Sequence, residues 1–192
     1  MKLTLTLTGV APLIVQSDRL VNPLDPITRQ LKAVVKKGSK MTDADHEEKG
    51  RLEFYGALYH DPEAGPYIPG DNIQASLRAG GSFVGRLGKA VERAVVVTQD
   101  VNPIEFKGPR DIDALWADTY FRFVRSVVMQ RARTMRTRPI FRSWGLTTEV
   151  ELATDLMNPD EFERVAEAAG AMAGLGTWRP RYGRYDVAVR RS

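Results

Sequence analysis

The sequence has no cysteine, which removes disulfides, thiolate metal ligands and cysteine nucleophiles together. It has two histidines, His46 and His60, too few for the nitrogen-rich sites that zinc prefers, so neither a metal nor another cofactor is expected. No apolar run approaches the roughly 20 residues that a membrane helix needs. Met1–Thr8 alternates apolar and polar residues, unlike the apolar block of a signal peptide. A soluble, cytoplasmic protein with no membrane partner is the expectation. The last shortage is local. From Thr119 to Thr148 there is no acidic residue, while Arg122, Arg125, Arg131, Arg133, Arg136, Arg138 and Arg142 all fall there.

What is present fits one domain. The chain has 192 residues, 43% of them hydrophobic, enough to build a core. Its formal charge of +4 favours an anionic partner only mildly, so the distribution of charge carries more information than the sum. Runs of like charge often mark nucleic-acid contact. In the arginine segment, a single strand would thread its phosphates past Arg131, Arg133, Arg136 and Arg138, with Val128, Met129 and Met135 available to wedge between bases. A protein interface or a solvated hairpin is the alternative reading of the same residues.

Local patterns predict the elements. Leu3, Leu5 and Leu7 alternate with threonines as a strand with one buried face. Asp25-Pro26 starts a helix whose Ile27, Leu31, Val34 and Val35 share a side. Thr42, with Asp45 three residues on, opens a second, polar helix carrying His46; Leu52–Tyr59 fits helix or strand. Asp71 is read as the N-cap of a helix followed by Ile73, Leu77, Val84, Leu87 and Val91 at helical spacing. Gly80-Gly81 inside it predicts a kink or a close backbone approach. Ala94–Thr98 reads as a buried strand. Ser143–Leu152 alternates again, and Asn158-Pro159 with Glu161 starts a helix that precedes a last strand at Tyr185–Arg190.

The order strand, helix, strand, strand, helix, strand predicts an α+β fold with a ferredoxin-like, RRM-type βαββαβ core. Residues 1–192 form a single domain. A helical and loop insertion covers about 10–66 after strand 1, and an arginine-rich hairpin covers about 100–140 before strand 3. Two helices on one sheet face leave the other free, and RNA-binding modules of this type use that free face.

Between the last helix and the last strand lies Gly174-Leu175-Gly176-Thr177-Trp178-Arg179-Pro180-Arg181-Tyr182-Gly183-Arg184-Tyr185. Arg179, Arg181 and Arg184 supply forked donors for phosphate, and Trp178, Tyr182 and Tyr185 offer flat faces for bases. Gly176 and its neighbours let backbone amides approach an anion. The plainer reading is a helix cap and a connection, with Trp178 as a core anchor.

Pro66-Tyr67-Ile68-Pro69-Gly70, running into a helix with Leu77-Arg78 downstream, resembles a signature of the RAMP (repeat-associated mysterious protein) superfamily of CRISPR effector complexes. The glycine-rich loop at Gly174, Gly176 and Gly183 is similar to the loop that this family places before its last strand. Within it the likeness is greatest to the backbone subunit that binds CRISPR RNA. The resemblance implies a non-catalytic subunit that holds single-stranded guide RNA and repeats head to tail with copies of itself, beside other effector subunits. It also implies that the 100–140 insertion is a thumb-like hairpin, and it adds Arg78 to the RNA-binding residues. The sequence departs from the family at Asp71-Asn72 and Gln74-Ala75, where serines and a lysine-glycine pair are usual. The aspartate of target-cleaving members is absent from Tyr55–His60. Two other functions stay open: an RNA-processing endoribonuclease of the same superfamily relying on His46 or His60, and a phage-type DNA-coating, recombination or assembly protein.

Overall fold

The computed structural model describes residues 1–129 and 132–191. The elements in chain order are β1 (Lys2–Gly9), β2 (Leu13–Ile14), α1 (Pro26–Val35), α2 (Asp43–Ala57), β3 (His60–Asp61), β4 (Gly65–Pro69), α3 (Gly70–Phe83), α4 (Gly88–Ala94), β5 (Val95–Val97), β6 (Val101–Pro103), α5 (Ile112–Ala117), β7 (Arg122–Met129), β8 (Ala132–Phe141), β9 (Gly145–Leu152), α6 (Pro159–Ala168) and β10 (Tyr185–Arg191). The fold is mixed α+β.

Strands β10, β1, β9 and β5 lie side by side in that order, each antiparallel to its neighbour. Because side chains alternate across a strand, Leu3, Leu5 and Leu7 of β1 and Leu146, Val150 and Leu152 of β9 all reach one buried face. There they join Ile73 and Leu77 of α3 and Phe162 and Val165 of α6 in a single core. Trp144 belongs to that core too, and its indole N–H donates to the Ala11 carbonyl at 2.8 Å.

Caps set several helix starts. The Asp25 carboxylate accepts the Ile27 and Thr28 amides, with Pro26 at the first position. Thr42 with Asp45 and Asn158 with Glu161 each form a reciprocal capping box. Asp71 caps nothing: α3 begins one residue earlier, at Gly70 after Pro69, which leaves Asp71 in the first turn. The reason lies in the approach of another loop. The Gly70 amide donates to the Asp100 backbone carbonyl at 3.1 Å, and a Cβ on Gly70 would sit 2.4 Å from the Gln99 carbonyl oxygen. The helix expected to run on to Val91 breaks at Val84–Leu87, where Gly85 and Arg86 take positive φ of 57° and 64°. At Gly80 the close approach is real: a Cβ there would lie 2.5 Å from the Val165 carbonyl oxygen and 2.6 Å from the Ala169 amide, so the missing side chain lets α3 and α6 touch.

Other expectations need revision. Leu52–Ala57 is helical, the buried end of α2, carrying Leu52, Phe54 and Ala57 inward. Of the side proposed for α1, only Leu31 is buried, together with Thr28. Within the segment rich in arginine, β7 and β8 form an antiparallel hairpin with Phe123 opposite Arg138 and Arg125 opposite Arg136. Its root is not free-standing. β8 also pairs with β2, placing Leu13 against Phe141 and Ile14 against Ile140, and α2 packs against it.

Candidate nucleic-acid interface

The hairpin and the glycine-rich loop meet. Phe123 of β7 lies edge-on to Trp178 with ring centroids 5.2 Å apart, and 5.6 Å from Tyr182; Trp178 and Tyr182 are 6.2 Å apart. The Arg138 guanidinium, on the strand opposite Phe123, stands 5.6 Å from the centre of the Trp178 ring. Arg125 stands 5.6 Å from the Phe123 ring and Arg181 5.8 Å from the Tyr182 ring. Three rings and three cations therefore meet at this junction: Phe123 is its buried centre, Tyr182 is half-buried and Trp178 is exposed, so the faces open to a base are those of the loop. Arg138 is half-buried. Loss of hydration, and then the neighbouring charge of Arg136, press its pKa below the usual arginine value, against a smaller opposing pull from Glu53.

The loop owes its shape to contacts within the fold. The amides of Gly174, Leu175, Thr177, Tyr182 and Gly183 donate to the carbonyls of Ala169, Gly183, Ile14, Trp178 and Pro12 at 2.8–3.2 Å. These five amides are spent within the fold and are not offered to an anion. A Cβ on Gly176 would lie 2.2 Å from the Ile14 carbonyl oxygen, which makes that glycine a packing requirement between loop and β2. Ser76 of α3 anchors the loop from the other side, donating to the Gly174 carbonyl at 3.0 Å, and its oxygen lies 3.0 Å from the Tyr185 hydroxyl. Tyr185 is only 2% exposed. It is part of the core and offers no face to a base, and burial pushes its hydroxyl pKa up to about 12.

Trp178, by contrast, is 36% exposed and is no core anchor. Its φ of 61° is an unusual conformation for a bulky side chain.

The arginines divide into two groups. Arg125, Arg133, Arg179, Arg181 and Arg184 are exposed, with Arg133 reaching Ser126 at 3.5 Å and Arg179 the Gly174 carbonyl at 3.4 Å. Met135 and Val128 are exposed too, and the hairpin register puts them with Arg133 on the face opposite to Phe123, Arg125 and Arg138. Others are employed inside the fold. Arg122 donates to the Trp116 carbonyl at 2.6 Å and lies 4.0 Å over the Trp116 ring. Arg136 pairs at 2.6 Å with Glu53, a buried carboxylate that also accepts the Thr137 amide at 2.8 Å and sits 3.7 Å from Lys49. Arg142 donates to the Tyr120 carbonyl and stacks on that ring. Arg78 is paired at 2.6 Å with Glu92 on the outer side of α3 and α4. Arg131 and the side chain of Met129 lie outside the described residues. Sequence reasoning missed Phe123; its two-residue spacing from Arg125, which puts both on one face of a strand, was the available signal.

The uncovered face of the four-stranded sheet is chemically unlike a stacking platform. Thr4, Thr6, Thr147, Glu149, Glu151 and Asp186 face that side by their alternation with the buried residues. Lys2 and Arg190 share that face with these carboxylates, paired opposite Glu151 and Thr4, and its described outward positions carry no aromatic ring.

His60, the first residue of β3, has its Nε2 2.8 Å from the Arg110 carbonyl oxygen, and His46 is on the exposed side of α2. Among the described residues no three His, Asp or Glu side chains come together where they could hold a metal ion, and no helix is long and apolar enough to cross a membrane. No family model matches the sequence, and no curated protein matches it.

Proposed function

We propose that this protein is a non-catalytic subunit that binds single-stranded RNA through the β7–β8 hairpin and the Gly174–Tyr185 loop. One observation carries the reading: the exposed ring of Trp178, the half-buried Tyr182 and the Arg138 guanidinium, drawn from two separate segments, are brought together around the buried Phe123 ring. Ring faces accept bases of any sequence, and the surrounding guanidinium groups neutralise phosphates. A cation already stripped of part of its water, as Arg138 is, gains from an arriving anion.

The strand order β10-β1-β9-β5, with α3 before β5 and α6 before β10, supports a ferredoxin-like βαββαβ core. On that core the Tyr67-Ile68-Pro69-Gly70 segment and the glycine-rich loop resemble the RAMP superfamily. The fuller form of the proposal follows from that resemblance: a guide-RNA backbone subunit that repeats head to tail in a cytoplasmic ribonucleoprotein.

Purification from cells followed by extraction tests the proposal. The expected product is short RNA, destroyed by ribonuclease and left intact when the protein is incubated with it. Extracted DNA would favour a DNA-coating protein. Cleavage of added RNA that disappears in His60→Ala or His46→Ala would overturn the non-catalytic reading.

A further inference from the structure

A groove of about 430 Å³ opens between the end of α3 and the glycine-rich loop, lined among others by Phe83, Trp178, Arg179, Ala79, Ala173 and Gly176. Its volume falls at the low end of the range for small-ligand sites. Phe83 is 56% exposed, a large cost for a phenyl ring unless something covers it. It falls off the buried stripe of α3, which runs through Ile73, Ser76, Leu77 and Gly80. The groove is preformed. Ser76 ties α3 to the Gly174 carbonyl, and the bare backbone at Gly80 brings α3 against Ala169. Ala79, Ala173 and Gly176 then contribute almost no bulk, so the space beside the two rings stays open. Trp178 is held there at a φ of 61°, the kind of strained conformation that surrounding structure must enforce and that gathers at ligand sites.

We infer that this groove receives one unpaired base of the bound RNA strand, stacked on Phe83 and Trp178 with its phosphate on Arg179. The inference rests on the proposed function and extends it to a residue outside the hairpin and the loop. The occupant follows from the lining: rings for a flat aromatic ligand, a cation and no carboxylate for its anionic link. The groove also adjoins the Trp178–Tyr182 surface through Trp178 itself, so a strand lying on one reaches the other.

The test compares wild type with Phe83→Ala and Phe83→Trp on two labelled RNA strands of about 16 nucleotides, one with bases and one made of abasic ribose phosphates. Phe83→Ala is expected to weaken binding of the base-carrying strand about tenfold, as for the loss of one base–aromatic stack, and to leave the abasic strand unaffected. Phe83→Trp is expected to restore the loss. A 2-aminopurine placed in the strand is expected to be quenched by wild type and less so by Phe83→Ala. Equal binding of both strands by wild type and Phe83→Ala would overturn the inference while leaving RNA binding intact. If wild type binds neither strand, the proposed function fails and the inference falls with it.

Discussion

The Arg138 guanidinium stands 5.6 Å from the centre of the Trp178 indole, and this contact joins a hairpin strand to a loop far along the chain. Trp178→Ala is expected to weaken single-stranded RNA binding about tenfold, whereas Trp178→Phe retains most of it. Fluorescence anisotropy reads the affinity, and thermal melting checks that the fold survives. Loss of folding without a specific loss of binding would return Trp178 to a purely structural role.

The division among arginines gives a second prediction. Arg133→Ala and Arg181→Ala remove exposed cations, so each should reduce the slope of log affinity against log salt by about 0.7 with little change in stability. Arg122→Ala instead removes two hydrogen bonds and a stacked cation from Trp116 and Ala117. It is expected to cost about 1–2 kcal/mol of stability. Melting curves and salt titrations of the three variants separate the two effects.

Glu53 supplies a third. Its buried carboxylate holds Arg136 and the Thr137 amide of β8, so Glu53→Ala takes the carboxylate away from a partly buried cation and a buried amide. A loss of about 3 kcal/mol is expected, about 6–12 °C in melting temperature for a chain of this size. Hydrogen exchange at the Thr137 amide should rise more than at the amides of β1.

These residues also mark what was legible in the sequence. Capping by Asp25, Thr42 and Asn158 is local chemistry, and so is the two-residue alternation of Leu3, Leu5 and Leu7; neighbouring residues alone specify them. The Glu53–Arg136 pair and the Phe123–Trp178 contact are not local. They depend on which strand lies under which helix and on a hairpin register that pairs Phe123 with Arg138. Arginines that look alike along the chain therefore divide into exposed and employed only in three dimensions. Tyr185 was misread for the same reason, since its place beneath Ser76 of α3 has no signal in the flanking glycines and arginines. That Glu149, Glu151 and Asp186 fall on the outward positions of the open sheet face is legible only once α3 and α6 are known to cover the other side.

Tyr185 carries the pH prediction. Its hydroxyl pKa is raised to about 12 by burial, against an ordinary value near 10. The folded state therefore binds the proton more tightly than the unfolded chain. The associated stability is complete below about pH 10 and is lost as pH rises towards about 12, in all about 2–3 kcal/mol. Tyr185→Phe keeps the ring but cannot ionise. The stability difference between wild type and Tyr185→Phe should shrink, and can reverse in favour of Phe, as pH rises through that window. A difference that stays constant from pH 9 to pH 12 would show that the hydroxyl is not held as described.

The most direct measurement of the central claim is ultraviolet crosslinking of the protein to a uridine-rich single-stranded RNA, with crosslinked peptides identified by mass spectrometry. The account predicts crosslinks at Trp178 and Tyr182. Crosslinks confined to the outward residues of β1 and β9, such as Thr6 and Thr147, or none above an unrelated control protein, would contradict it.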